Sequence, residues 1–260
     1  DTVASHTDIS DTDQTIYVPS IKTTIIDSEN GSHNAAADEE ITLIDTVRYN
    51  GLEVGRKYSV TGTLVDKETG KALLDDAGKE ITASNEFTAE KPNGTIEITF
   101  KFSGVSLAGK TTVAFEHMYT DGKEVAVHAD LKDEKQTQYL PSVHTTATSN
   151  DTQDHVTGSN EKVTITDLVS MKALKIGTEY TVSGTLMNAA TGKPVLVDGK
   201  TITSRRTFTA DSHDMTVSLT YTLNASELAG TTTVVFENLY SDGALLAVHA
   251  DTKDAEQTVY

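Results

Sequence analysis

Polar and apolar residues alternate along most of this chain. EITLIDTV (40–47), KYSVTGTLV (57–65), TIEITFKF (95–102), TTVAFEHMY (111–119) and EVAVHAD (124–130) change character at nearly every second residue. A period of two predicts β-strands with one buried and one wet face. No long helical pattern interrupts them. Asp121-Gly122 and Asp242-Gly243 each stand between two such runs, which predicts a two-residue hairpin turn. Counting back from the first of these turns sets Glu116 opposite Val127, or opposite His128 if a bulge adds one residue.

The pattern occurs twice. YSVTGTL (58–64) returns as YTVSGTL (180–186), TTVAFE (111–116) as TTVVFE (232–237), and VHAD (127–130) as VHAD (248–251). The offsets are 180 − 58 = 122 and 232 − 111 = 121 residues, too long for a solenoid repeat, so whole domains are duplicated. VPSIKTT (18–24) and LPSVHTT (140–146) begin the two copies, with Pro19 and Pro141 at the start of a first strand, where proline is tolerated. Short strands separated by Gly and Asp turns predict an all-β protein of tandem β-sandwich domains, 19–139 and 140–260. The junction at Tyr139, Leu140 and Pro141 has no Gly/Ser-rich stretch, which favours a stiff rod over freely jointed beads.

Each copy closes on His-x-Asp-x-x-Asp-x-x-Gln-Thr: His128, Asp130, Asp133, Gln136 and Thr137, then His249, Asp251, Asp254, Gln257 and Thr258. The same spacing appears at His6, Asp8, Asp11, Gln14 and Thr15. Residues 1–18 are therefore expected to be the C-terminal strand of a preceding, truncated domain, or a linker.

Composition narrows the function. The formal net charge of −18 repels phosphate backbones and anionic lipid, which argues against nucleic-acid and membrane partners. Cysteine is absent. A secreted domain without it must rely on its core, on a metal or on another covalent bond. The closing cluster matches no EF-hand spacing, and a zinc site would want more His or Cys, so no metal or cofactor is expected. A Lys–Asn/Asp isopeptide is a chemical rival with Lys22 as the amine, but the second copy has His144 there.

Both copies keep Thr23-Thr24 (Thr145-Thr146), Glu116 (Glu237), and the His, both Asp and the Gln of the ending. A Thr hydroxyl is a nucleophile only when a base such as His takes its proton. Buried Glu and Asp side chains held close together share one proton, because two adjacent negative charges in a low dielectric are costly. A protonated acid can polarise the Gln carboxamide. Attack by Thr with loss of ammonia would then leave an ester between first and last strands. Only one Thr of each pair can reach the Gln, because adjacent strand residues face opposite ways.

Val113-Ala114-Phe115-Glu116, the leading Thr-Thr pair and the closing motif together resemble the VaFE, or ester-bond, domains of Gram-positive surface adhesins. The resemblance spans essentially all 260 residues, although the second copy reads Val-Val-Phe-Glu. It implies immunoglobulin-like sandwiches with autocatalytic cross-links Thr23–Gln136 and Thr145–Gln257. It also implies assistance by Glu116, His128 and Asp133, and by Glu237, His249 and Asp254. Such bonds would close loops of 136 − 23 = 113 and 257 − 145 = 112 residues.

The expected function is a structural shaft, extracellular and anchored to the cell wall. Its partners would be neighbouring repeats of the same polypeptide, with a host ligand bound by a tip domain outside this segment. A ligand-binding module is the alternative. An enzyme with turnover is disfavoured, because nucleophile and electrophile lie in one chain and consume each other.

Overall fold

The computed structural model describes residues 4–260. The alternating runs of the first copy form β1 (Ser20–Asp27), β2 (Ile41–Asn50), β3 (Lys57–Asp66), β4 (Thr82–Thr88), β5 (Gly94–Phe102), β6 (Lys110–Thr120), β7 (Lys123–His128) and β8 (Thr137–Leu140). β1, β2 and β5 make one antiparallel sheet; β4, β3, β6 and β7 make the second. That is the order of an immunoglobulin-like sandwich. Leu43, Val60, Leu64, Ile98 and Phe100 fill the space between the sheets with almost no exposure.

β7 and β8 share one edge of β6. β7 pairs with Glu116–Thr120, and β8 pairs further back with Lys110–Val113. The turn between β7 and β8 carries the chain across the sandwich. There the Ile25 amide of β1 donates to the Lys135 carbonyl (2.9 Å), and the Ala114 amide of β6 donates to the Gln136 carbonyl (3.0 Å). Gln136 is thus clamped between strands of opposite sheets.

The second copy repeats this plan with β9 (Ser142–Ser149), β10 (Val163–Lys172), β11 (Glu179–Asn188), β15 (Thr203–Thr209), β16 (Met215–Leu223), β17 (Thr233–Ser241), β18 (Ala244–His249) and β19 (Thr258–Val259). The short β12 (Lys193–Pro194), β13 (Leu196–Val197) and β14 (Lys200–Thr201) lie between β11 and β15. The sheets are β9-β10-β16 and β15-β11-β17-β18, with β19 on β17.

The hairpin turns behave as the Asp-Gly pairs predict. Asp121 and Gly122 have φ of 49° and 72°, and Asp242 and Gly243 have 48° and 82°. Both central residues are left-handed, which matches the twist of the flanking strands. A register shift between Met118 and Tyr119 sets Glu116 opposite His128, the bulged alternative.

Only Pro141 separates β8 from β9, and it is buried. Having no N–H, it ends one ladder before the next begins. Across this joint the buried Tyr139 ring stacks on His213 at 5.8 Å between centroids. The Tyr180 hydroxyl donates to Asn34 Oδ1 (2.8 Å). The joint is therefore a packed contact.

Residues 4–18 contain no strand; they hold a 3-10 turn at Thr12–Gln14. A strand needs a sheet edge to satisfy its backbone, and this segment meets none. It nevertheless folds locally like the closing motifs. Asp8 accepts the Ser10 amide, Asp11 accepts the Asp13 amide, and the Thr15 hydroxyl reaches the Asp11 carbonyl. Asp130, Asp133 and Thr137 make the same set, as do Asp251, Asp254 and Thr258. The spacing encodes its own turn through Asp side chains that cap nearby amides.

Gly62 and Gly184 sit directly opposite Glu116 and Glu237. A Cβ at Gly62 would lie 2.5 Å from Ile98 Cδ1 and 2.7 Å from the Phe100 ring. Gly62→Ala is expected to cost ~1–3 kcal/mol through overpacking. Chemical denaturation of the Gly62→Ala chain checks it, and unchanged stability would show that the opposite sheet yields.

Candidate cross-link site

Thr23 is the member of its pair that faces the core: it is 3% exposed, whereas Thr24 lies on the outer face. Lys22 also points outward, which removes it from any buried isopeptide. Gln136 is fully buried, and its Nε2 donates to Thr23 Oγ1 at 2.8 Å. In the second domain Gln257 Nε2 donates to the buried Thr145 Oγ1 at 3.1 Å.

Glu116 has no exposed surface. Its Oε2 accepts from Thr23 Oγ1 at 2.9 Å and also from Gln136 Nε2. Glu237 Oε2 accepts from Gln257 Nε2 at 2.6 Å. His128 projects from the neighbouring strand, with Nδ1 3.2 Å from the Thr23 amide and 3.4 Å from Thr23 Oγ1. Accepting an N–H on Nδ1 leaves the proton on Nε2, which lies 3.2 Å from Asp133 Oδ2. His249 Nε2 lies 3.1 Å from Asp254 Oδ2 in the same way, but its Nδ1 has no hydrogen-bond partner and stands 3.9 Å from Glu237 Oε2. Burial lowers the His249 pKa, which favours the neutral imidazole.

The carboxyl paired with each Glu does not come from the closing motif. Asp133 and Asp254 bond the imidazoles. Asp45 of β2 reaches Glu116 from the opposite sheet, and Asp167 of β10 reaches Glu237. Both Asp residues are fully buried. Burial pushes all four carboxyls up, and the neighbouring Asp pushes each Glu further, to about 10. Near neutrality each pair keeps a proton. Glu116 Oε1 and both Asp45 oxygens have no other partner, so a proton between the two acids gives Glu116 Oε1 and one Asp45 oxygen a hydrogen bond.

Sequence reasoning had a signal for the Asp residues and passed over it. Asp45 stands in the inward parity of β2 with Ile41, Leu43, Val47 and Tyr49. Asp167 stands likewise among Val163, Ile165, Val169 and Met171. An acidic residue on an apolar strand face, in both copies, marks a buried carboxyl that needs a partner.

These features define a class: all-β tandem domains in which a buried Thr and Gln from opposite ends of each domain meet beside a proton-sharing acid pair and a His–Asp pair. The chain belongs to the family described as T-Q ester bond containing domain, whose model matches residues 19–140 and again 141–260. A bacterial adhesin from Mobiluncus mulieris, described as containing intramolecular disulfide, isopeptide and ester bond cross-links, is 16% identical, with 87% of this chain and 82% of that chain covered and a TM-score of 0.39. A glycosyl hydrolase family 2 member from Bacteroides cellulosilyticus is 8% identical, with 80% and 28% covered and a TM-score of 0.33. Likenesses this distant carry no argument about function. Comparison with curated proteins gives no match. Among the described residues no helix is long and apolar enough to cross a membrane.

The raised carboxyls set a pH dependence. In a Thr23→Ala, Thr145→Ala chain, which keeps both acid pairs but has no nucleophile, the folded state holds protons that the unfolded state releases near pH 4. Stability is therefore greatest below the unfolded pKa values and falls as pH rises through about 6 toward about 10. Urea midpoints are expected to be lower at pH 9 than at pH 6, and adding Glu116→Gln and Glu237→Gln should flatten the slope. An equal slope with and without the Glu residues would refute the shared protons.

Proposed function

We propose that each domain seals itself with an ester between Thr23 and Gln136, and between Thr145 and Gln257, and that the chain is a shaft module of a Gram-positive surface adhesin. The observation that carries the reading is the meeting of a core Thr hydroxyl with a core Gln carboxamide beside a proton-bearing acid pair, in both copies. Family membership supports it.

His128 Nδ1 takes the proton from Thr23 Oγ1 as that oxygen attacks Gln136 Cδ. A half-turn of the carboxamide about its Cγ–Cδ bond brings its oxygen to Glu116. The proton of the Glu116–Asp45 pair then holds the charge that develops there. Collapse breaks the C–N bond. The amide nitrogen takes the proton from His128 and leaves as ammonia, and the Oγ–Cδ ester remains. Asp133 keeps the imidazole aligned throughout. The reaction runs once per domain, so the chain has no turnover as an enzyme.

The bond would join β1 to the segment leading into β8 and enclose almost the whole domain. On the chain-entropy model, closing ~100 residues stabilises by roughly 4–5 kcal/mol. Tension would pass through the ester and spare the strands between. This mechanical role suits an extracellular, wall-anchored chain with no cysteine, and the packed joint at Pro141 suits a stiff rod.

Intact-mass spectrometry is expected to find the chain lighter than its sequence by two ammonia molecules. Thr23→Ala or Gln136→Ala should each restore one and remove roughly 4–5 kcal/mol from domain one. A full sequence mass in the refolded wild-type chain would overturn the reading. Asp45→Asn is expected to slow bond formation in domain one by ~10²-fold or more without affecting domain two, followed by mass against time after refolding. Equal rates in both domains would remove Asp45 from the mechanism.

A further inference from the structure

Domain two carries a cluster at the mouth of its site that domain one lacks. His144 on β9 stands beside His249 on β18, with ring centroids 5.2 Å apart. One ligand atom from each of His144, His249 and Asp254 falls within 4.8 Å of the others. Glu256 Oε2 lies 3.0 Å from His144 Nε2. In domain one the equivalent positions (144 − 122 and 256 − 121) are Lys22 and Lys135. Two ammonium groups there repel a cation; an imidazole and a carboxylate attract one.

We propose that His144, His249 and Asp254 form a binding site for a divalent transition-metal ion of the zinc class. Two imidazole nitrogens and one carboxylate oxygen suit such an ion and not calcium or magnesium, which prefer oxygen alone. Three protein ligands leave a fourth tetrahedral position for water. Glu256 accepts from a ring N–H of His144 and orients it, as carboxylates behind ligating histidines do. Metal–nitrogen bonds of about 2.0–2.1 Å require the ligand atoms to close by roughly an ångström, which rotation of the exposed His144 side chain provides.

The site shares His249 with the proposed chemistry. Metal on Nε2 forces the remaining proton of a neutral imidazole onto Nδ1, the atom that faces Glu237. An Nδ1–H cannot accept the Thr145 proton. Bound metal would therefore hold domain two unreacted while His128 in domain one stays free. This consequence rests on the cross-link reading; the metal site itself does not.

Calorimetric titration of the whole chain with zinc, and cobalt absorption bands of tetrahedral intensity, test the site. One ion per chain is expected to bind, with affinity falling at least ~10-fold in His144→Lys, which installs the domain-one residue, and falling also in Glu256→Ala. Undiminished binding in His144→Lys, or no binding by the wild type, would overturn the proposal. Refolding with zinc should delay one ammonia loss and leave the other on schedule, with chelator releasing the delay. Two losses on an unchanged schedule would sink the regulatory consequence. If no ammonia is lost even without metal, the cross-link reading fails, and the titrations still decide the metal site.

Discussion

Everything at the centre of each domain depends on placing two carboxyls back to back in a sandwich core where neither touches water. Two charges there would cost far more than a small domain's net stability. One shared proton removes most of that cost. Asp45 and Glu116 come from different sheets, so the proton also ties the sheets together where the core is least apolar. Gly62 belongs to the same constraint. Without a Cβ it lets Ile98 and Phe100 close over the strand directly opposite Glu116, and this excludes water.

The acid pair makes sense of the groups around it. In the proposed cross-linking, a protonated Glu beside a Gln carboxamide and a Thr hydroxyl would activate the electrophile. The His–Asp pair lies at the rim, half-buried, between the core site and solvent. In the proposed reaction, a dry acid and a damp base would stand on either side of the bond that forms. The Thr and Gln meet only through folding, because β1 and the turn before β8 come together in the finished sandwich.

The two copies are not equivalent at the surface. The buried site residues correspond, Thr23, Asp45, Glu116 and Gln136 with Thr145, Asp167, Glu237 and Gln257, while the rim changes from Lys22 and Lys135 to His144 and Glu256. Core chemistry is constrained by burial and geometry. The rim is free to vary, and it is there that the proposed metal site distinguishes domain two from domain one.

The strands, the Asp-Gly hairpins and the duplication were legible in the sequence, because period-two burial and left-handed turns are local properties. The closing motif was legible as a repeat, but its turn was not: the Asp caps that form it appear in the folded chain, even at Asp8 and Asp11, with no domain around them. The resemblance pointed to Thr23, Gln136, Glu116 and His128, and the structure brings those four together. Three matters were decided by tertiary structure. The bulge after Met118 set Glu116 against His128 and not Val127, because a bulge answers to sheet twist and not to the turn sequence alone. The proton-sharing acid came from Asp45 across the sandwich, because contact between sheets depends on packing and has no spacing along the chain. Residues 4–18 remained without a strand, because a strand exists only where a neighbouring edge receives its hydrogen bonds.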